Sequence, residues 1–397
     1  MSANNIMRNN IEDNKGRLHF FVLITVIIIA GLSQGFLLPV LAIFLDQMGV
    51  SPSVNGLNAA ALYMGSFAMT LVAEKVLRII GFKKLIVVGL VLVMLPLLVF
   101  PWIPNVNLWF VLRFIVGVGV SALNYAAQLW VLMVTPQRNR GRNLSLYGMS
   151  YGLGFSLGPL GIKLLLYGMA VPFILMSTIT LLVLLLVIIK LPDQRLERSP
   201  DQEQQKHRYR RSYRIAWYAL IPAFLYGYME ASMNSNFPVY GLNIGYNEHQ
   251  IATLLPFIGV GGLLLQFPLG LLSDKLGRKK ILMICGIAGG IIFLMLPLIG
   301  THYVGSMILL LIVGGLVGSF FSLGLAYAAD ILPRAFLPAA NVIASVQLSI
   351  GSVVGPNVSG VLMQYGWSGG MFILLGVTYI LFGLVGFRFR PKESEQE

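Results

Sequence analysis

The stretch Met169–Lys190, MAVPFILMSTITLLVLLLVIIK, decides the fold class. Its core, Leu181–Ile189, is apolar at every position. A closed β-barrel would need segments of about 10 residues that alternate apolar and polar, and this run does not alternate. A helix crossing about 30 Å of hydrocarbon needs about 20 mostly apolar residues. Twelve such segments fit along the 397-residue chain, at roughly 19–46, 54–80, 84–103, 107–135, 142–166, 169–190, 215–241, 249–273, 281–299, 303–331, 336–364 and 367–388. Composition agrees: 57% of residues are hydrophobic and 11% charged, against about 25% charged in a soluble domain. The expected fold is an all-α membrane protein with twelve transmembrane helices.

The single cysteine, Cys285, excludes an intrachain disulfide, and with four scattered histidines there is no ligand spacing for a metal or iron–sulfur site, so no cofactor is expected. The formal charge of +13 raises nucleic-acid binding as a reading until the basic residues are placed. With the N-terminus inside, all of the 28 Lys and Arg except Arg113 and Lys163 fall in tails, loops or helix ends on the cytoplasmic side, among them Lys83, Lys84, Arg138, Arg140, Arg142, Lys279 and Lys280. Such an excess of Lys and Arg sets orientation, so the charge is spent on topology and nucleic acid is not an expected partner. The expectation is a multi-pass protein of the cell membrane with both termini cytoplasmic. The opening residues are polar, no small-residue cleavage site follows the first apolar run, and that run is too long for a signal-peptide core, so the first segment is expected to remain in the mature chain.

One long polar interior stretch, 191–214, runs PDQRLERSPDQEQQKHRYRRSYR after Leu191 and divides the chain into 1–190 and 215–397, six segments each. Its basic end, Lys206–Arg214, reads as a solvated positive-inside linker or as a stretch lying on anionic headgroups. Laying the second half over the first at an offset of 197 pairs Gly89 with Gly286, Gly117 with Gly314, Pro136 with Pro333, Gly154 with Gly351, Gly158 with Gly355 and Pro159 with Pro356. An offset of 196 pairs Gly49 with Gly245, Gly65 with Gly261, Gly81 with Gly277 and Lys83-Lys84 with Lys279-Lys280. An even number of segments per copy makes the copies parallel, an architecture of transporters that expose a midplane site alternately to each side.

Gly270–Lys280, GLLSDKLGRKK, resembles the loop signature of the major facilitator superfamily, and Arg113–Gly119, RFIVGVG, resembles its R-x-x-x-G-x-G pattern. Gly154-x-x-x-Gly158-Pro159 resembles the core of its antiporter signature. The resemblance covers essentially the whole chain and implies the superfamily fold, a small-molecule substrate, protons as coupling ion, the lipid bilayer as surroundings and a monomer, with a bacterial drug or solute efflux cast. It further implies that Gly270, Asp274, Gly277 and Arg278, with Asp330 as the acid facing Arg278, form a conformational latch. Gly154, Gly158, Pro159, Gly351, Gly355 and Pro356 would pack segments 5 and 11 where the halves meet. There are two departures: Arg78 stands where the first-half loop should have Asp, and Ile162-Lys163 stands where the antiporter motif has glycines. A complete latch is therefore expected in the second half alone.

An ionisable group in hydrocarbon costs about 3 kcal/mol, so each has a claim to function. Glu230 lies about midway along segment 7 and shares a helical face with Tyr226 and Asn234 at i, i+4, i+8. A carboxyl opened alternately to each side can load and release a proton; the alternative is a permanently hydrogen-bonded structural acid. Arg113 begins a second stripe, with Gly117, Ser121, Asn124 and Gln128, along one face of segment 4. The family pattern implies a place for Arg113 in the hydrogen-bond network of the central cavity or proton path, against a plain packing role that ties segment 4 to its neighbours. Gln34, Tyr125, Asn236 and Tyr327 are cavity candidates by helix membership. Lys163 reads as snorkelling to the outer surface and Asp46 as interfacial, and the Met64–Met69 patch as lipid-facing or core packing.

The function expected is a secondary transporter exporting a small organic molecule against protons. Uptake of a sugar or organic acid stays open, because the signatures do not encode direction. A non-transporting sensor or scaffold would be expected to lose the polar stripes, which are present. No phosphate-binding loop, His-Glu metal motif or serine nucleophile elbow is present to support an enzyme.

Overall fold

The computed structural model describes residues 3–134, 140–195, 206–333 and 336–390. Pro136, Arg138 and linker residues 196–205 lie outside the described residues, as do the side chains of Arg140, Arg142 and Lys206. The described residues form thirteen α-helices and no strand: α1 (Ala3–Gln47), α2 (Pro52–Ile80), α3 (Phe82–Val99), α4 (Val106–Val134), α5 (Arg140–Leu157), α6 (Val171–Lys190), α7 (Lys206–Ile244), α8 (Glu248–Leu276), α9 (Arg278–Met295), α10 (Tyr303–Gly318), α11 (Phe320–Ile331), α12 (Leu337–Tyr365) and α13 (Gly370–Arg388). Eleven spans among them are long and apolar enough to cross a membrane, with α10 and α11 counted together. The expected twelfth span is α7, which carries Glu230, Asn234, Ser235 and Asn236 in mid-helix and is correspondingly more polar.

Three boundaries differ from the sequence reading. The tenth segment is two helices, because the chain breaks at Ser319 (φ −91°, ψ 4°). Three glycines, 314, 315 and 318, precede the break; they weaken the helix and let α8 approach so closely that a Cβ on Gly318 would lie 2.8 Å from Gly262 Cα. Residues 206–214 of the polar stretch are helical and join the spanning part of α7 across a kink at Ala216 (φ −112°, ψ 20°). The two prolines that the repeat pairs behave differently: α5 gives way at Gly158-Pro159 to a 3-10 helix, Gly158–Tyr167, whereas α12 continues as an α-helix through Pro356.

The contacts group the chain into two compact units, Met1–Phe36 with Gly65–Gly158 and Leu164–Arg198, and Leu37–Met64 with Pro159–Lys163 and Ser199–Glu397. In hydrocarbon there is little hydrophobic drive between helices, so close packing through small residues must hold them. In the first unit, a Cβ on Gly31 would collide with the Tyr151 carbonyl, one on Gly154 with the Ile28 carbonyl and one on Gly65 with the Phe114 carbonyl. Phe36, Phe100, Phe173 and Trp109 add a chain of ring contacts at 5.2–6.1 Å.

The second unit repeats this packing. Gly227 meets the Leu348 carbonyl, Gly351 the Phe224 carbonyl and Gly261 the Leu311 carbonyl, each pair shifted by 196 or 197 from its counterpart. Tyr218 stacks on Phe382 at 4.6 Å, and Phe320 meets Tyr379 at 5.1 Å. Hydroxyls inside the spans commonly donate to the carbonyl four residues earlier, as Thr180, Ser235 and Thr378 do, which satisfies them without a partner helix.

Candidate functional site

In the first unit, the polar face of α4 meets a matching face of α2. Ser66, Thr70, Glu74 and Arg78 recur every four residues along α2. Ser66 Oγ donates to the Gly117 carbonyl (3.0 Å), Thr70 and Ser121 share a hydroxyl–hydroxyl bond (3.1 Å), and Tyr125 lies within electrostatic reach of Glu74 and Arg78. Arg78 donates from Nε (3.0 Å) and Nη2 (2.5 Å) to Glu74 Oε1. The α2 stripe is not among the sequence expectations, although its fourfold spacing in Ser66, Thr70, Glu74 and Arg78 is a usable signal.

Arg113 is wholly buried and Gln128 exposed on the same α4 face. Asn124 is held by α5: Tyr147 Oη donates to its carbonyl oxygen (3.0 Å) and to its Oδ1 (3.1 Å). Gln34 on α1 is 6% exposed and accepts at Oε1 from Tyr151 Oη (2.8 Å). Neither tyrosine was anticipated, and nothing in the sequence but their i, i+4 spacing marks them. Lys163 is half-buried in the 3-10 helix after α5, and Asp46 is half-buried near the end of α1.

In the second unit, Glu230 is partly buried on α7 and, among the described residues, has no ion-pair partner. Tyr226 lies within electrostatic reach of it, one turn away. Asn234 Nδ2 donates to the Glu230 backbone carbonyl (2.8 Å), so this amide bonds back onto its own helix. Asn236 is wholly buried and donates to the Pro356 carbonyl (2.9 Å). Beside it, Asn55 at the start of α2 donates to the Ser235 carbonyl (3.0 Å), Gly56 abuts Pro356 and Gly360 abuts Pro52. These contacts knot the first turn of α2 to α7 and α12. Tyr327 has its ring 6.4 Å from Phe389 and lies within electrostatic reach of Asp330.

Arg278, at the start of α9, lies 3.1 Å from Asp274 on α8 and 3.1 Å from Asp330 on α11, and donates to the Ala326 carbonyl. Lys279 Nζ donates to the Phe389 carbonyl at the end of α13 (2.6 Å). The turn before them is Gly277 at φ 93°, a left-handed conformation that favours glycine, whereas Gly270 is in open space. Gly158 packs on Gly35 and Gly355 on Tyr228, so the packing motifs serve α1–α5 and α7–α12. Among the described residues, no cluster of three His, Cys, Asp or Glu could hold a metal, and Cys285 is a buried free thiol.

The sequence profile of the Major Facilitator Superfamily matches residues 23–265 and again 223–397. The chain belongs to this superfamily. It is 39% identical over 366 residues to the uncharacterized MFS-type transporter YfkF of Bacillus subtilis (strain 168), covering 91% of this chain and 93% of that one. Multidrug resistance protein 2 of the same organism is 24% identical over 367 residues, covering 88% and 90%. Among solved structures, the nucleoside transporter NupG superposes with a TM-score of 0.79 at 11% identity, over 93% of this chain and 99% of that one. The D-xylose-proton symporter superposes with 0.75 at 16% identity, over 95% and 99%. At these identities the likeness shows the major facilitator fold. Membership of the superfamily makes the protein a multi-pass membrane protein and a secondary transporter.

Proposed function

We propose that the chain is a proton-coupled exporter of a small organic molecule, working by alternating access between six-helix halves at 1–190 and 215–397. Glu230 is the coupling carboxyl and Arg113 a member of the proton path. The observation that carries this is Glu230 itself: a carboxyl in the middle of a spanning helix, beside Tyr226, with no cation paired to it among the described residues. Such a group must stay protonated or be relieved by proton exchange, and a transporter can use that exchange. Export rather than uptake is favoured by the similarity to multidrug resistance protein 2. The latch residues Asp274, Arg278 and Asp330 bias one access state. Both termini and the 191–214 stretch face the cytoplasm of a cell-membrane monomer.

The test is transport in proteoliposomes under an imposed pH gradient. Glu230→Gln keeps the shape of the side chain but cannot exchange a proton; it should abolish gradient-driven movement at unchanged protein level. Movement against a gradient with unchanged pH dependence would make Glu230 structural. For orientation, a cysteine placed at Asp193 in a Cys285→Ser background should resist an impermeant thiol reagent in intact cells, and labelling there would overturn the topology.

A further inference from the structure

Tyr147 and Tyr151 stand one turn apart on α5, and each spends its hydroxyl on a side-chain amide from another helix of the same unit. Tyr147 takes Asn124 by its backbone and side-chain oxygens (3.0 and 3.1 Å), and Tyr151 takes Gln34 by Oε1 (2.8 Å). A side-chain amide has one acceptor oxygen and one nitrogen carrying two donor protons. With the oxygen engaged, the group that remains is the donor. Among the described residues, neither Gln34 Nε2 nor Asn124 Nδ2 has a hydrogen-bond partner. Gln34 is 6% exposed as a residue, but its Nε2 is not among the fully buried atoms without a partner, so the donor keeps access to a small molecule.

The amides are also held still. Tyr151 stacks on Phe155 (6.2 Å, 22° between planes), and backbone contacts at Gly31 and Gly154 pin α5 to α1. Anchors four residues apart on one helix are about 6 Å apart along its axis. Two donors fixed with their oxygens occupied suit a ligand that brings oxygen acceptors. They offer nothing to a lipophilic cation that has none.

We propose that Tyr147 and Tyr151 are positioning residues that turn Asn124 and Gln34 into a pair of N–H donors, and that the transported molecule carries acceptor oxygens (carbonyl, carboxylate or hydroxyl) that meet both. This rests on the transport reading above, but its test needs no proton gradient, so failure of one leaves the other standing.

The full chain in nanodiscs is assayed for ligand-dependent thermal stabilisation. The probes are chloramphenicol, thymidine and glucose, all neutral and rich in acceptor oxygens, and tetraphenylphosphonium, a cation with none. At least one neutral probe should stabilise the protein and the cation should not. Tyr151→Phe should raise the half-saturating concentration of that probe about tenfold, the worth of one neutral hydrogen bond, while the ligand-free protein still unfolds cooperatively with a melting temperature lowered by no more than the loss of that bond. Gln34→Glu keeps the acceptor for Tyr151 and removes the donor, and should abolish stabilisation. Stabilisation by tetraphenylphosphonium at least as strong as by the neutral probes, absence of binding by all three, or an unchanged half-saturation in Tyr151→Phe overturns the proposal.

Discussion

Residues 74–84 and 270–280 are two copies of one connection, and they agree in their backbone while differing in their ion pairs. Gly81 turns at φ 85° and Gly277 at φ 93°. Lys83 donates to the Ile188 carbonyl near the end of α6 (2.7 Å), and Lys279 donates to the Phe389 carbonyl at the end of α13 (2.6 Å). Beyond that the copies part. Arg78 bonds back to Glu74 on its own helix, whereas Arg278 reaches Asp330 on α11 as well as Asp274. The turn and the lysine clamp are what any copy needs to close a helix pair. Among the described residues, the bridge to a further helix is present in the second copy alone, so it answers to something other than closure.

The largest effect expected tests the shared part. Gly154→Val and Gly351→Val should each destabilise the protein by about 3 kcal/mol or more, because each puts a methyl group into a facing carbonyl that cannot retreat without moving a helix. Thermal unfolding in detergent reads this. A large loss for one and none for the other would show that the repeated packing is not load-sharing between the copies.

A smaller effect tests the difference. Asp274 and Asp330 are 61% and 50% exposed and Arg278 25%, so the bridge is screened and worth about 1 kcal/mol rather than the several a buried one could reach. Arg278→Gln should therefore shift the balance of access states by about fivefold, measured by distances between spin labels across the bundle. Arg78→Gln, which frees an intrahelical pair, should shift it less than about twofold, the scale of an i, i+4 contact. Equal shifts would erase the distinction. The smallest effect is that of the clamps: Lys83→Gln and Lys279→Gln should each cost about 0.5 kcal/mol, the worth of a cation at a helix C-terminus. Unequal losses would mean that one clamp has acquired a second task.

The spans and the repeat were legible because they depend on local properties. A segment such as Leu181–Ile189 is apolar whatever lies beside it, and Gly81 and Gly277 mark turns by their own backbone freedom. The break at Ser319 was not legible, since 303–331 reads as one mostly apolar span and its glycines alone do not say where the helix parts; the close approach of Gly262 to Gly318 places the gap.

Which polar groups meet is a different kind of quantity. Glu230 could be singled out as an isolated carboxyl in an apolar run, and the α4 stripe could be counted off at helical spacing. That Thr70 faces Ser121, that Tyr147 and Tyr151 hold Asn124 and Gln34 by their oxygens, and that Asn236 is spent on the Pro356 carbonyl are facts about pairs of helices. By itself the sequence determined that the chain spans the membrane as helices, that glycine turns such as Gly81 and Gly277 end some of them, and that packing glycines recur at a fixed offset, since hydropathy and backbone freedom are properties of single residues and their neighbours along the chain. Only the tertiary structure decided which donors remain unspent, because that depends on how each helix is rotated about its axis against the next, and no single segment carries that information.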